Sequence, residues 1–155
     1  ASRTEDGHVY IRRDASMRGT PDQWGRKVVA VYDELQADRV VYEANQGGDL
    51  VAHTLRTIRP DLPLEEVHAT VDKRARAEPV AALDAQGKVH HVGLFEVMED
   101  QLCTWEPMGG MPSPDRLDAR VWAVTALAIN QPYIAALAVD LSEGLTRPSP
   151  YRGHF

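Results

Sequence analysis

Two acidic stretches that lie far apart in the sequence contain the side chains best suited to chemistry. The first stretch ends on Glu43, directly after the β-branched and aromatic residues 40–42, a pattern typical of a strand buried on both faces. Because ligands of open α/β sheets gather at the carboxyl ends of strands, Glu43 would stand where such proteins usually act. The alternative is a solvent-facing glutamate beside the glycine turn that follows, and this stretch by itself favours that alternative.

The second acidic stretch contains Asp115 and Asp118. Ser113 is a natural N-cap and Pro114 suits the first helical position, so the two aspartates would lie three residues apart on one helix face. The helix dipole alone favours Asp115 in a first turn, without any chemistry. Asp118 lies a turn deeper, beside an apolar stripe and Trp122, where a carboxylate is costly unless a cation or donor meets it.

Three cations between the acidic stretches form a candidate phosphate site: Lys73, Arg74 and Arg76. Pro79 suits the first turn of a helix and Gly87 its C-terminal cap, so the cations would come just ahead of a helix N-terminus. Free N–H groups and the helix dipole favour anions at that end. The alternative is a solvated charge cluster paired with Asp72 and Glu78, and the sequence supports it at least equally well.

The first elements of the chain are signalled by local residues. A hairpin-type turn at 4–7 precedes a predicted strand over 8–12. Thr20, Pro21 and Gln23 form a capping-box pattern. They predict a helix whose apolar positions face the sheet.

Further elements follow in alternation, which predicts an α/β sheet with parallel pairs. The strand ending on Glu43 precedes a helix that begins at about Asp49 and is stopped by Pro60. A strand over 64–68 comes next, and a helix is predicted from residue 94 to about 105.

Composition excludes several classes of protein. With 155 residues, 43% of them hydrophobic, the chain can form one domain with a real core. The net charge of −6 argues against a global basic field, so any contact with nucleic acid must be local. The single Cys103 excludes an intramolecular disulfide and fits a reducing compartment. No apolar run reaches membrane-spanning length, so no membrane partner is expected.

Three stretches together resemble a known family. They read VYEANQGGD (41–49), KRARAEPV (73–80) and SPDRLDARVWA (113–123). In this order they are similar to the C-terminal nuclease domain of phage terminase large subunits, and most closely to terminases of tailed phages and gene transfer agents. The resemblance covers about residues 5–130. It implies an RNase H-like (RuvC-like) fold, a mixed sheet flanked by helices.

The resemblance also divides the chain. Residues 1–130 would form the RNase H-like nuclease domain, and residues 131–155 a C-terminal extension. Within the extension, the sequence indicates a short helix over 133–141 and a mobile tail over 147–155.

The family's activity is metal-dependent cutting of double-stranded DNA during genome packaging. By resemblance, Glu43 is one catalytic carboxylate, and Asp115, with Asp118 as its companion, supplies another. Phosphodiester hydrolysis in a two-metal site needs several carboxylates to hold Mg²⁺ or Mn²⁺ ions roughly 3.5–4 Å apart, and Mg²⁺ prefers such oxygen ligands. The three cations would then touch backbone phosphates, and not the carboxylates, which positions DNA without reading its sequence.

Partners and location follow from the same resemblance. The partners would be double-stranded DNA, an ATPase module upstream in the same polypeptide, the small terminase subunit and the portal. The expected location is the cytoplasm of the bacterial host.

One part of the family pattern is absent from the sequence. Such domains also carry an Asp on the first strand of the sheet, which should lie before Ala1. The turn at 4–7 likewise leaves only 1–3 as a partner strand, so we expect a fragment whose first strands lie upstream. Glu5 and Asp6 sit in the turn and are poor substitutes. Alone, the chain is therefore expected to show little or no nuclease activity.

Two alternative functions stay open at this point. A different RNase H-like nuclease, such as a Holliday-junction resolvase, would share the carboxylate pattern. A non-catalytic α/β interaction domain would need no metal.

Overall fold

A computed structural model of the chain describes residues 1–44, 47–106 and 114–129. Within them the strands are β1 (Ser2–Arg3), β2 (Val9–Ile11), β3 (Val40–Glu43), β4 (Leu64–Val67) and β5 (Val89–His91). The α-helices are α1 (Pro21–Leu35), α2 (Gly48–Ile58), α3 (Lys73–Ala85), α4 (Glu96–Thr104) and α5 (Asp115–Val124). A π-helical stretch, Thr125–Ile129, continues α5. The predicted α/β alternation is confirmed.

The described strands form two small sheets. One has the order β1-β2-β5, with β1 antiparallel and β5 parallel to β2. The other pairs β3 with β4 in parallel, and Glu43 stands opposite Val67 at the carboxyl end. The predicted hairpin is confirmed, because Ser2 and Arg3 pair in antiparallel register with β2.

The prediction that β3 is buried on both faces is wrong, since all four of its residues are only partly buried. Among the described residues, β3 hydrogen-bonds to a single neighbouring strand. A strand that pairs on one side only within the described part of the chain is less buried than a central strand, although β-branched residues favour both kinds of strand.

The predicted cap of α1 is confirmed. The Thr20 side chain accepts a hydrogen bond from the Gln23 amide, while the Gln23 side chain accepts one from the Thr20 amide. The helix packs closely on α2 at Gly25, where an added Cβ would lie only 2.6 Å from Cδ1 of Ile58. A side chain at this crossing would force the Ile58 side chain to shift, so glycine allows the close approach of the two helices.

The start of α3 differs from the prediction. The helix begins at Lys73, and Pro79 lies inside it. Asp72 is the N-cap, with its side chain accepting a hydrogen bond of 2.9 Å from the Ala75 amide. A capping aspartate followed by strong helix formers outweighs the one backbone hydrogen bond that Pro79 removes. The three cations therefore belong to the first turn of the helix and do not precede it.

The core joins β2 and β5 to α3, α4 and α5. Its buried apolar residues are Val9, Ile11, Val80, Met98, Leu117, Val121, Val124 and Ala128. This core fixes α5 against α3. The first helical residue of α5 is Asp115, one later than predicted, and Pro114 is the N-cap.

Some predictions fall on residues that the structure does not describe. They are the turn residues Asn45 and Gln46, the Ser113 cap, and the whole extension 131–155 with its predicted helix and tail. Within the described ranges, no helix is long and apolar enough to cross a membrane.

Candidate active site

Glu43 and Asp118 face the same cation. Oε1 of Glu43 lies 3.9 Å from Nη1 of Arg76, and Oδ1 of Asp118 lies 3.9 Å from Nη2 of the same guanidinium. Both distances are those of ion pairs and exceed hydrogen-bond length. The carboxyl end of β3, the first turn of α3 and the first turns of α5 therefore meet at Arg76.

Trp122 contacts both Glu43 and Arg76. Its indole N–H donates a hydrogen bond of 3.2 Å to Oε2 of Glu43. The guanidinium carbon of Arg76 lies 4.8 Å from the centre of the Trp122 ring, a distance that permits a cation–π interaction. Because Trp122 follows Asp118 by one helical turn, both side chains leave the same face of α5.

Burial makes these charges interact strongly. The Arg76 side chain is only 9% exposed, against 17% for Asp118 and 34% for Glu43. A cation removed from water to this extent must be paired, and a reduced local dielectric strengthens its attraction to both carboxylates. Glu43 remains open enough for a ligand to reach it.

The first turn of α3 carries charges of the sign that the helix dipole disfavours. It has no acidic residue, although anions are stabilised at a helix N-terminus and cations are not. Lys73 offsets this by an ion pair with Oδ2 of Asp118, and Arg76 does so through the carboxylate pair. Arg74 instead bonds to Glu78 at 3.1 Å, where both side chains are more than half exposed.

The structure thus divides the three predicted phosphate-binding cations. The expectation that they avoid the carboxylates is wrong for Lys73 and Arg76, whose folded positions place them against acidic side chains. Arg74 has one of the partners named in the alternative interpretation, namely Glu78. Asp72, the other partner named there, caps the helix.

Asp115 lies exposed at the first position of α5. Among the described residues, no three Asp, Glu, His or Cys side chains are placed to hold a metal together. The structure therefore brings Glu43 and Asp118 to one place, while the convergence of Asp115 with them stays a prediction.

A buried charged network, which sequence reasoning missed, holds α5 in position. Arg120 has a side chain only 4% exposed and bonds to both carboxylate oxygens of Asp84 in α3, at 3.0 and 2.5 Å. Its Nε–H donates to Nε2 of His91 at 3.3 Å. This places the His91 proton on Nδ1, which donates to Glu99 at 2.8 Å.

One signal could have revealed this network. Arg120 lies three residues after Leu117 and four before Val124, on the apolar stripe of α5. A cation on a buried stripe requires a buried partner. The identity of its partners could not be read from the sequence, because Asp84 and His91 lie on two other elements.

A second anchor holds the start of α5. Nε of Arg116 donates to Asp14 across 2.7 Å. Burial raises the pKa of Asp14, but hydrogen bonds from Ser16 and the pairing with Arg116 outweigh it and hold the pKa below its ordinary value. Both anchors fix the helix that presents Asp118 and Trp122.

The charged network borders a cavity of about 770 Å³ between α3, β5, α4 and α5. Its walls are mainly apolar, and they include Val80, Leu102 and Leu117. None of Glu43, Arg76 or Asp118 lines it. The cavity is therefore separate from the acidic site.

The acidic site fits a hard divalent cation by its chemistry. Mg²⁺ is usually held by one or two carboxylates, several waters and substrate phosphate oxygens. Glu43 and Asp118 supply two carboxylates that already face one positive group.

Comparison with known proteins gives one match. The model of a family described as the terminase RNaseH-like domain matches residues 1–127. It confirms the RNase H-like fold class and the resemblance predicted from the three sequence stretches. No curated protein and no solved structure showed significant similarity to the chain.

Proposed function

The chain belongs to the terminase RNaseH-like domain family, and we propose that it is the metal-dependent nuclease domain of a terminase large subunit. In this proposal it hydrolyses phosphodiester bonds of double-stranded DNA during genome packaging. The nuclease domain spans residues 1–130, and residues 131–155 extend it. In this proposal the terminase is that of a tailed phage or of a gene transfer agent.

One observation carries the proposal. Two carboxylates from separate elements, Glu43 after β3 and Asp118 on α5, converge on a single cationic group. Lys73 also pairs with Asp118, but Arg76 is the group that both carboxylates face, and two carboxylates at one point are a ligand set that suits a divalent cation. The position of Glu43 at the carboxyl end of its strand agrees with where α/β proteins bind ligands.

Glu43 and Asp118 would hold Mg²⁺ or Mn²⁺, with Asp115 as an additional proposed ligand. Such an ion supplies charge stabilisation at the phosphate and lowers the pKa of a bound water. Trp122 orients Glu43 through its indole N–H. A partner of this kind fixes a metal ligand's geometry and raises its effectiveness.

Positive side chains around the pair would position the DNA. Lys73 and Arg74 are about half exposed and would reach backbone phosphates beside the carboxylates. Phosphate contacts of this type fix the register of a duplex without reading its sequence. They also supply local attraction in a chain whose net charge is −6.

The proposal includes the partners of a packaging machine. These are an ATPase module of the same polypeptide, the small terminase subunit and the portal, acting in the cytoplasm of the bacterial host.

Cleavage of plasmid and linear duplex DNA by the full-length protein, with Mg²⁺ or Mn²⁺, tests the function. Glu43→Gln and Asp118→Asn should each reduce cleavage by at least about 100-fold, since each removes a metal ligand. Glu66→Gln is the matched control, because Glu66 lies on the adjacent strand opposite Tyr42 and so faces the other side of the sheet from Glu43.

The result that contradicts the proposal is unchanged cleavage in both ligand variants. Preferential cutting of four-way junctions over linear duplex would instead favour the resolvase alternative. Absence of metal binding and of cleavage in the wild-type protein would favour the interaction-domain alternative.

A further inference from the structure

Two carboxylates and an indole ring lie around the Arg76 guanidinium. Carboxylate oxygens of Glu43 and Asp118 stand at 3.9 Å on two sides, and the Trp122 ring lies 4.8 Å from the guanidinium carbon. Nη1 also makes a weak hydrogen bond of 3.5 Å to the Val71 carbonyl. The guanidinium therefore occupies the point towards which both proposed metal ligands face.

We propose that Arg76 is the internal counter-cation of the carboxylate pair, and that a divalent metal and the Arg76 guanidinium compete for Glu43 and Asp118. Metal binding would displace the guanidinium, which becomes available to a DNA phosphate. This inference rests on the proposed function, because it concerns the same metal site.

The interatomic distances make this exchange feasible. Charge-assisted hydrogen bonds between Arg and carboxylates measure about 2.7–2.9 Å, so the pairs at 3.9 Å are looser than direct hydrogen bonds, and a divalent cation can compete with the guanidinium for these carboxylates. A dication and a guanidinium cannot share this point, because their repulsion in a partly buried site is strong. Lys73 pairs with Asp118, whereas Arg76 faces both carboxylates and so limits the repulsion between them.

The position of Arg76 in the sequence would allow the displaced guanidinium to bind a DNA phosphate. It leaves the first turn of α3, where free amide groups favour an approaching anion. A guanidinium also matches the geometry of a phosphate through two parallel N–H donors. The Arg76 side chain can therefore pair with the carboxylates before the metal binds and with the phosphate afterwards.

Calorimetric titration of Mn²⁺ into the wild-type chain and three variants tests the competition. Arg76→Gln should bind Mn²⁺ roughly tenfold more tightly than wild type, which corresponds to about 1.4 kcal/mol. Arg74→Gln removes the same charge from the same helical turn, so it controls for the general change in field. Glu43→Gln identifies the site, and thermal unfolding checks that each variant is folded.

Two failures are distinguishable in this experiment. If wild type binds Mn²⁺ through Glu43 but Arg76→Gln binds no more tightly than Arg74→Gln, the competition is overturned and the metal site stands. If no variant binds Mn²⁺, or Glu43→Gln binds as wild type does, the metal site of the proposed function fails, and the competition with it.

A second measurement needs no variant at Arg76 and no enzyme activity. In a ¹H–¹⁵N spectrum of the wild-type chain, Mg²⁺ should shift both the Trp122 indole N–H and the Arg76 Nε–H resonances together. Trp122→Phe assigns the indole signal. Saturating Mg²⁺ that shifts the Glu43 amide while leaving the Arg76 signal unmoved would overturn the proposed exchange.

Discussion

The indole N–H of Trp122 donates to a carboxylate oxygen of Glu43 across 3.2 Å, although 79 positions separate the two residues. This hydrogen bond ties the last described α-helix to the carboxyl end of β3. It also leaves the other Glu43 oxygen facing Arg76. The helix therefore sets the direction of the acid at the strand end.

Trp122→Phe tests this hydrogen bond. The variant keeps an aromatic ring below Arg76 but removes the donor to Glu43, so Mn²⁺ affinity should fall by roughly 10-fold to 100-fold, as expected when a ligand's orienting partner is removed. Calorimetry on the folded variant measures the effect. The matched control is Trp24→Phe in α1, which should bind Mn²⁺ as wild type does. Equal affinity in both variants would contradict a role for the indole N–H.

The buried network of α5 makes a prediction about stability. Asp84→Ala leaves the buried Arg120 without its carboxylate and should lower the free energy of unfolding by about 2 kcal/mol. This is below the roughly 3–5 kcal/mol of a fully buried pair, because Asp84 is itself 38% exposed. Urea unfolding measures the change.

The surface pair between Asp22 and Arg26 provides the control for this network. Both side chains are more than 60% exposed, so Asp22→Ala should lower the free energy of unfolding much less than Asp84→Ala does. If Asp84→Ala were no more destabilising than Asp22→Ala, the network would not anchor the helix.

The Asp14–Arg116 pair predicts a dependence of stability on pH. The pKa of Asp14 is lowered in the folded chain, so the folded state favours the ionised carboxyl. Its contribution is present above the ordinary Asp pKa of about 3.9 and is lost as the pH falls through the lower folded value. Urea unfolding from pH 7 to pH 3 measures it.

Asp14→Asn is the variant that isolates this contribution. The stability difference between wild type and Asp14→Asn should stay constant from pH 7 to about 5 and shrink below about 4. A difference that grows on acidification would have the wrong sign for a depressed pKa.

Salt dependence tests the DNA path. Lys73→Ala with Arg74→Ala in the full-length protein should reduce the slope of log affinity against log salt by roughly 0.9 for each phosphate that is no longer neutralised, about 1.8 together. Binding should weaken about equally on all duplex sequences, because the phosphate backbone carries no sequence information. A folded double variant with an unchanged slope would place the DNA elsewhere.

Local signals in the sequence predicted most helices and strands. Contacts between residues that are distant in the sequence could not be predicted. The α1 cap was predictable because Thr20 and Gln23 satisfy each other's amides within one turn. The start of α3 was mispredicted although its signal is equally local, because the preference of Pro79 for a first helical turn was weighted above the Asp72 cap, whose side chain accepts from the Ala75 amide.

The site shows the same division. Glu43 and Asp118 could be proposed from a strand end and a helix face, yet their meeting at Arg76 depends on how α3 and α5 pack. The partners of Arg120 come from α3 and β5, and the next member of the network, Glu99, from α4; no spacing in the sequence encodes such long-range pairing. The burial of β3 was overestimated because a run of β-branched residues indicates a strand but does not indicate how many strands pair with it.

A double-mutant cycle on Mn²⁺ affinity tests the central claim, that Glu43 and Asp118 act as one metal site. Glu43→Gln and Asp118→Asn should each weaken binding at least about tenfold, and the double variant should weaken it by less than the two single effects combined, because removing either ligand disrupts the same ion. Wild-type affinity in either single variant, or single effects that simply add, would contradict a shared site.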